Sequence, residues 1–188
     1  TQDIAMAGSA FKPFALLANA KQGGTVNDTY SGASPQTFPG LGQPVTNDGG
    51  YSFGNVTLVK ATAYSMNTPY VALNRDVGPE NTMKAAVDAG IPEDTLGLNK
   101  ELLNVLGSAS PHNIDLATAY ATIANGGQRV KAHIVREVTN SGGSNKLYET
   151  TVSPTRVFEA EEVSSIMPAL EAVTTGEGTA DSVAGALR

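Results

Sequence analysis

The segment Ala7-Gly8-Ser9-Ala10-Phe11-Lys12-Pro13-Phe14 decides how this chain is read. From Gly8 the apolar residues Phe11, Phe14, Ala15, Leu17 and Ala18 recur at helical spacing until Gly23-Gly24, which predicts a helix with a glycine stop. Proline has no N–H and is tolerated only in a first turn, so Pro13 requires that helix to begin around Gly8 or Ser9. Ser9 then stands at a helix N-terminus, where developing negative charge is favoured, and Lys12 shares its face. No other serine in the chain has a lysine three positions after it. A lysine partly desolvated among Phe11 and Phe14 has a lowered pKa and can accept a hydroxyl proton. The same spacing also describes a capping serine beside a lysine that snorkels to water, and the local pattern leaves both readings open.

A second polar run lies further on. Ser65-Met66-Asn67 is the only serine-any-asparagine triplet. A helix is predicted from about Thr57 to Tyr64, and Thr68-Pro69 reads as an N-cap followed by a first helical proline. Ser65 and Asn67 thus fall in a helix-to-helix turn, projecting into one cleft. A second hydroxyl there can relay a proton and an amide can hold a peptide group, although turns select Ser and Asn on their own account.

Between the two runs, residues 25–54 are rich in Gly, Ser, Pro, Thr and Asn with scattered aromatics (Tyr30, Phe38, Tyr51, Phe53), and predict a long loop without regular structure. Such a loop is uncommon inside a domain unless it serves a binding site. Further helices are predicted up to Gly78, from Pro79-Glu80 to Gly90, and from an Asn113 cap through Ala124 to Asn125-Gly126-Gly127. Alternation over Arg129 to Val138, then Asn140-Ser141-Gly142-Gly143 and Lys146 to Thr150, predicts a two-stranded hairpin. A last helix spans about Glu159 to Thr174, with Ile166, Leu170 and Val173 inward and a kink at Pro168.

Composition narrows the chemistry. The chain has 188 residues, 12 Lys+Arg against 18 Asp+Glu, and a net charge of -6, which offers no basic stripe for nucleic acid. It contains no cysteine and two histidines, so thiolate sites and a three-histidine zinc site are excluded. His112 and His133 fall on a loop and a strand, far apart in sequence, and are read without a metal or acid–base role. No stretch approaches the roughly 20 apolar residues that cross a bilayer. The start at Thr1-Gln2-Asp3 and the end at Val183-Ala184-Gly185-Ala186-Leu187-Arg188 lead us to expect a piece of a longer protein.

Taken in order, these blocks resemble the transpeptidase domain of penicillin-binding proteins, specifically the bifunctional class A type. Residues 7–14 are similar to the family's nucleophile segment. Asn55-Val56-Thr57-Leu58 through Ser65-Met66-Asn67-Thr68-Pro69-Tyr70-Val71 resembles the segment of its second motif. Ser110-Pro111 with Ile114 to Gly127 resembles a helix behind the site, and Gly176-Glu177-Gly178-Thr179-Ala180 the stretch before the third motif. The resemblance implies Ser9 as nucleophile, Lys12 as its general base, Ser65 as proton relay and Asn67 as a hold on the donor peptide. It also implies the Ser9 amide as an oxyanion donor.

The family's third motif, Lys-Thr/Ser-Gly, is absent from the sequence. The implied fold is therefore the α/β (α+β) penicillin-binding and serine β-lactamase-like fold, held here as a partial domain over residues 1–188, mostly helical with one hairpin and with the central strands largely missing. The implied activity is peptidoglycan D,D-transpeptidation through a serine acyl-enzyme, with D-Ala-D-Ala stem peptides as substrate and β-lactams as covalent inhibitors. No metal or organic cofactor is implied, since covalent catalysis needs only an activated hydroxyl and an oxyanion site. The fragment alone is expected to be inactive and to require the remainder of its domain, as another chain or as uncut polypeptide. Its location would be the extracellular face of the cytoplasmic membrane, anchored by an N-terminal segment. A D,D-carboxypeptidase, a β-lactamase-like hydrolase or a non-catalytic docking module remain as alternatives. Against hydrolysis, no carboxylate is recognisable as placed to activate water.

Overall fold

Every residue from Lys12 to Asn19 is buried in the computed structural model, which describes residues 3–176 and 178–186. They belong to helix α1 (Lys12–Lys21), which is apolar around nearly its whole circumference and so serves as the hub of the fold. Around it pack α3 (Asn67–Val77), α4 (Pro79–Ala89) and α6 (Ala160–Glu171). Helix α2 (Leu58–Ala63) joins α6, and α5 (Asn113–Ala124) lies against α4. Phe11, Phe14, Leu16, Leu17, Leu58, Tyr70, Val71, Leu73, Ile91, Phe158 and Ile166 are among the side chains sealed in one continuous core. Each such large side chain contributes about 1.5–3 kcal/mol of burial.

The helix expected from Gly8 or Ser9 is α-helical only from Lys12; residues Gly8–Phe11 form a 3₁₀ turn. The cause is Pro13. It has no N–H to offer the Ser9 carbonyl, which instead accepts from Lys12 N–H, an i to i−3 bond.

Within the expected loop 25–54, Thr29–Ser31 forms strand β1, paired antiparallel with β2 (Asn55–Thr57) through Tyr30 opposite Val56. Thr57 is therefore a strand residue that caps α2, its hydroxyl accepting from Lys60 N–H at 3.3 Å. Helix α3 begins at Asn67, one residue before the expected cap Thr68, for a reason given below.

The expected strand over Arg129 to Val138 is broken. Only β3 (Gln128–Arg129) and β4 (Glu137–Thr139) are extended, because they serve different partners: β3 pairs with β6 (Thr155–Arg156), while β4 pairs with β5 (Lys146–Glu149) as the predicted hairpin. Among the described residues, β structure is limited to three two-stranded sheets and two isolated antiparallel bridges, Ile4 with His112 and Gln36 with Val45.

In α6 the buried side chains are Val163, Ile166 and Ala169; the helix continues through Pro168 to Glu171, and Ala172–Thr174 is a 3₁₀ turn. Leu170 is half-buried against the core and also lines a cavity, whereas Val173 lines that cavity only. Glu159 and Glu162 form a reciprocal capping box at its start. Of the sequence blocks singled out above, Thr1, Gln2, Glu177, Leu187 and Arg188 lie outside the described residues.

Candidate active site

The 3₁₀ turn carries exposed Ser9 above the first turn of α1, where Lys12 is only 3% exposed. Two glycines fix this turn. Gly8 N–H donates to the Gly107 carbonyl at 3.1 Å and Ala7 N–H to Ala109 at 2.8 Å. Gly8 (φ 55°) and Gly107 (φ 82°) are both left-handed, and a Cβ on Gly107 would stand 2.0 Å from the Gly8 oxygen. From the other side, the Tyr120 hydroxyl on α5 donates to the Ala10 carbonyl at 2.8 Å.

Ser65 closes the short link between α2 and α3 with a φ of +50°, the one non-glycine residue with positive φ among the described residues. That region costs a non-glycine residue roughly 1–3 kcal/mol, so the surroundings must impose it. They do so through Ser65 N–H to Thr62 O at 2.9 Å and Met66 N–H to Ala61 O at 2.8 Å. As a result both the carbonyl and the hydroxyl of Ser65 face Lys12.

Lys12 Nζ lies 3.0 Å from Ser9 Oγ, 3.0 Å from Ser65 Oγ, 2.7 Å from Ser65 O and 3.0 Å from Asn67 Oδ1. All four residues singled out from the sequence thus meet at one nitrogen. An ammonium has three hydrogens and four acceptors face it, whereas a neutral amine can take a hydrogen from a hydroxyl through its lone pair. Burial pushes the lysine down to about 8, against a smaller upward pull from the Asp48 carboxylate. At neutral pH about a tenth of such lysines are uncharged, poised to accept a proton. The Tyr70 ring lies 5.5 Å from Nζ, its hydroxyl bonded to Thr62 Oγ1 at 2.5 Å, and burial raises its own pKa far above the ordinary tyrosine value.

Beside Ser9 opens a cavity of about 470 Å³ lined by Lys12, Ser65, Tyr120, Met167, Leu170 and Thr179 among others. Thr179 is drawn in by its N–H, which donates to Ala63 O at 2.9 Å. Thr179, from a stretch marked in the sequence only by resemblance, therefore borders the cavity.

Several site residues escaped the sequence reading. Gly107 sat in an unremarkable loop, Asp48 and Asn47 in the Gly- and Ser-rich stretch, and Tyr120 within the helix that resemblance put behind the site, with no role of its own. The one available signal was a lone large aromatic in that helix.

Residues 1–186 match the family of the penicillin binding protein transpeptidase domain. The chain belongs to this family. It is 35% identical over 150 residues to penicillin-binding protein 1A of Mycolicibacterium smegmatis, covering 72% of this chain and 19% of that protein. It is 31% identical over 180 residues to penicillin-binding protein 1A of Streptococcus oralis, covering 91% and 28%.

In three dimensions the PonA1 protein of Mycobacterium tuberculosis, solved in complex with penicillin V, superposes with a TM-score of 0.78 at 29% identity, over 89% of this chain and 47% of that one. Penicillin-binding protein 1A of Haemophilus influenzae matches over the whole chain and 33% of its own, with a TM-score of 0.88 at 20% identity. The fold is that of penicillin-binding transpeptidase domains, and the chain spans between about a fifth and a half of the proteins it resembles.

Proposed function

We propose that this chain carries the nucleophilic half of a peptidoglycan D,D-transpeptidase. The observation that carries the reading is the buried Lys12 amine within 3.0 Å of Ser9 Oγ, Ser65 Oγ and Asn67 Oδ1. Ser9 Oγ forms a bond to the carbonyl carbon of a D-alanyl-D-alanine stem while its proton passes to neutral Lys12. The peptide C–N bond then breaks, and the proton travels through Ser65 Oγ to the departing D-alanine amine. An amine of a neighbouring stem attacks the ester, gives its proton to the same lysine–serine pair, and displaces Ser9, which recovers a proton. The Ser9 amide, which has no acceptor among the described residues, is the oxyanion donor we assign, and Asn67 orients the donor peptide.

β-Lactams would acylate the same hydroxyl, a reading supported by the penicillin V complex of the PonA1 relative. We place the strand bearing the family's third motif, and the rest of the domain, against the largely apolar cavity beside Ser9. With that substrate the enzyme works at the outer face of the cytoplasmic membrane.

The deciding experiment is intact mass spectrometry of the natural-length protein before and after a β-lactam. We expect one covalent adduct on this chain that disappears in Ser9→Ala. Absence of an adduct in the folded wild-type protein overturns the reading. Free D-alanine released without crosslinked product would assign the site to a hydrolase instead.

A further inference from the structure

Helix α3 starts without a local cap. The residue at its N-cap position is Met66, buried and without a side-chain acceptor, although the first-turn amides of a helix have no partner within it. The acceptor arrives from position 47. Asn47 Oδ1 accepts from Asn67 N–H at 2.9 Å, Thr68 N–H at 3.0 Å and the Thr68 hydroxyl at 3.2 Å. This is why Thr68 lies inside the helix rather than at its cap.

Asn47 is itself held on every side. It is 4% exposed, its Nδ2 donates to Gly32 O at 3.1 Å and Tyr51 O at 3.0 Å, and its backbone N–H donates to Ser34 Oγ at 2.9 Å. Gly32 in turn pairs with Phe53 and Gly54 at the end of the β1–β2 ribbon. One side chain therefore ties the ribbon, the 48–51 turn and the start of α3 together. The neighbouring Thr46 carbonyl accepts from Asn67 Nδ2 at 2.9 Å, which turns Asn67 Oδ1 toward Lys12.

We propose that Asn47 is a positioning residue for the acylation step, a detached N-cap that fixes Asn67 against Lys12. The proposal rests on the reading of Ser9 as nucleophile and Lys12 as its base. A capping amide of this kind governs the reaction through the placement of Asn67, because a displacement of about 1 Å at a catalytic contact can cost on the order of a hundredfold in rate.

The test is the second-order rate of acylation by a fluorescent penicillin, measured from about pH 6 to about pH 10 on natural-length Asn47→Ala and Asn47→Asp proteins, with thermal melts alongside. Asn47→Ala is expected to lose about ten- to a hundredfold in rate, and its pH midpoint should fall because the Lys12 ammonium loses a fixed acceptor. Asn47→Asp keeps an oxygen for the three donors. It loses the two donations from Nδ2 to the Gly32 and Tyr51 carbonyls, so part of the rate is lost, and its midpoint should stand above the wild-type one because a carboxylate now stands near the lysine. A purely structural role would lower the melting temperature and leave the midpoint alone.

An alanine variant that acylates at the wild-type rate with the wild-type midpoint overturns the proposal. If the alanine variant does not fold, the aspartate variant decides, and an unshifted midpoint there overturns it equally. Failure of the wild-type protein to form a Ser9 adduct would instead sink the underlying functional reading, and is seen before any variant is compared.

Discussion

The two turns that meet at Lys12 are built in opposite ways. Ser9 reaches the amine across three residues of one helical turn, whereas Ser65 and Asn67 reach it from 53 and 55 residues away. The first turn is set by Pro13 and by two glycines in close approach; the second is a strained non-glycine residue followed by a helix capped from 20 residues upstream. Local spacing thus brings the Ser9 hydroxyl to the Lys12 amine. Distant packing brings the Ser65 hydroxyl and determines how dry the amine is, and with that its charge.

The sharpest way to separate these contributions is Lys12→Met. It keeps the volume and the turn while removing the amine, so β-lactam acylation should drop by about a thousandfold or more, within the range for losing a general base. Stability should move the other way. A lysine lowered from 10.5 to about 8 carries a penalty of about 3 kcal/mol as a buried ammonium, which methionine does not. The natural-length variant should therefore melt at or above the wild-type temperature at pH 7, and a clear drop in melting temperature would contradict the desolvation account.

Breaking the local turn instead calls for Gly107→Ala. Its Cβ would meet the Gly8 oxygen at 2.0 Å in a left-handed backbone, so we expect a loss of at least about 3 kcal/mol, combining overpacking and strain. Gly126→Ala is the matching control: its φ is +60° but nothing lies within 4 Å of the added Cβ, so only about 1 kcal/mol of conformational cost is expected. Denaturant midpoints of the two variants measure the difference, and equal losses would mean that the Gly8–Gly107 approach does not matter.

How much of this was legible follows the same division. Spacing put Ser9 and Lys12 on one helical face and left their pairing open until the family resemblance chose it, and Pro13 placed the start of their helix to within one turn. Three of the other helices, α3, α4 and α5, were readable because each is followed by glycine or opens on proline. Asn47 was not readable, since a loop rich in Gly, Ser and Asn gives no sign that one asparagine is buried and bonded to a helix twenty residues on. For the same reason Thr68 looked like a cap. The strand over Arg129 to Val138 failed because alternation predicts extended chain but not its partner, and two partners divide it. Asp48, the carboxylate that pulls on Lys12, was invisible because its effect is electrostatic and acts across the fold.

Charge at Lys12 also gives a pH signature. Only the neutral amine accepts the Ser9 proton, so the acylation rate should rise about tenfold per pH unit below about 8 and level off above it. Stability carries the matching sign. Below about 8 both folded and unfolded chains hold the proton and the fold bears the full penalty; between about 8 and 10.5 the unfolded chain binds the extra proton, so stability rises with pH. Both trends should be absent from Lys12→Met, and a pH-independent acylation rate across that window would remove Lys12 as the base.

The smallest effect expected is the one that joins the two regions. Tyr120 is half-exposed on α5, yet burial of its hydroxyl end pushes it up to about 12, so it remains a donor to the Ala10 carbonyl throughout the working pH range. Tyr120→Phe removes that hydrogen bond and little else. The cost to stability should be about 1 kcal/mol, as for one hydrogen bond at a partly wet site. Acylation should fall several-fold, because Ala10 follows Ser9 and its carbonyl would lose the one anchor that reaches it from α5. The plateau rate should carry the loss while the midpoint near pH 8 stays in place, since Tyr120 does not touch Lys12. A shifted midpoint would instead mean that the two turns are coupled through α5, and that the division between local placement and distant charge control is too simple.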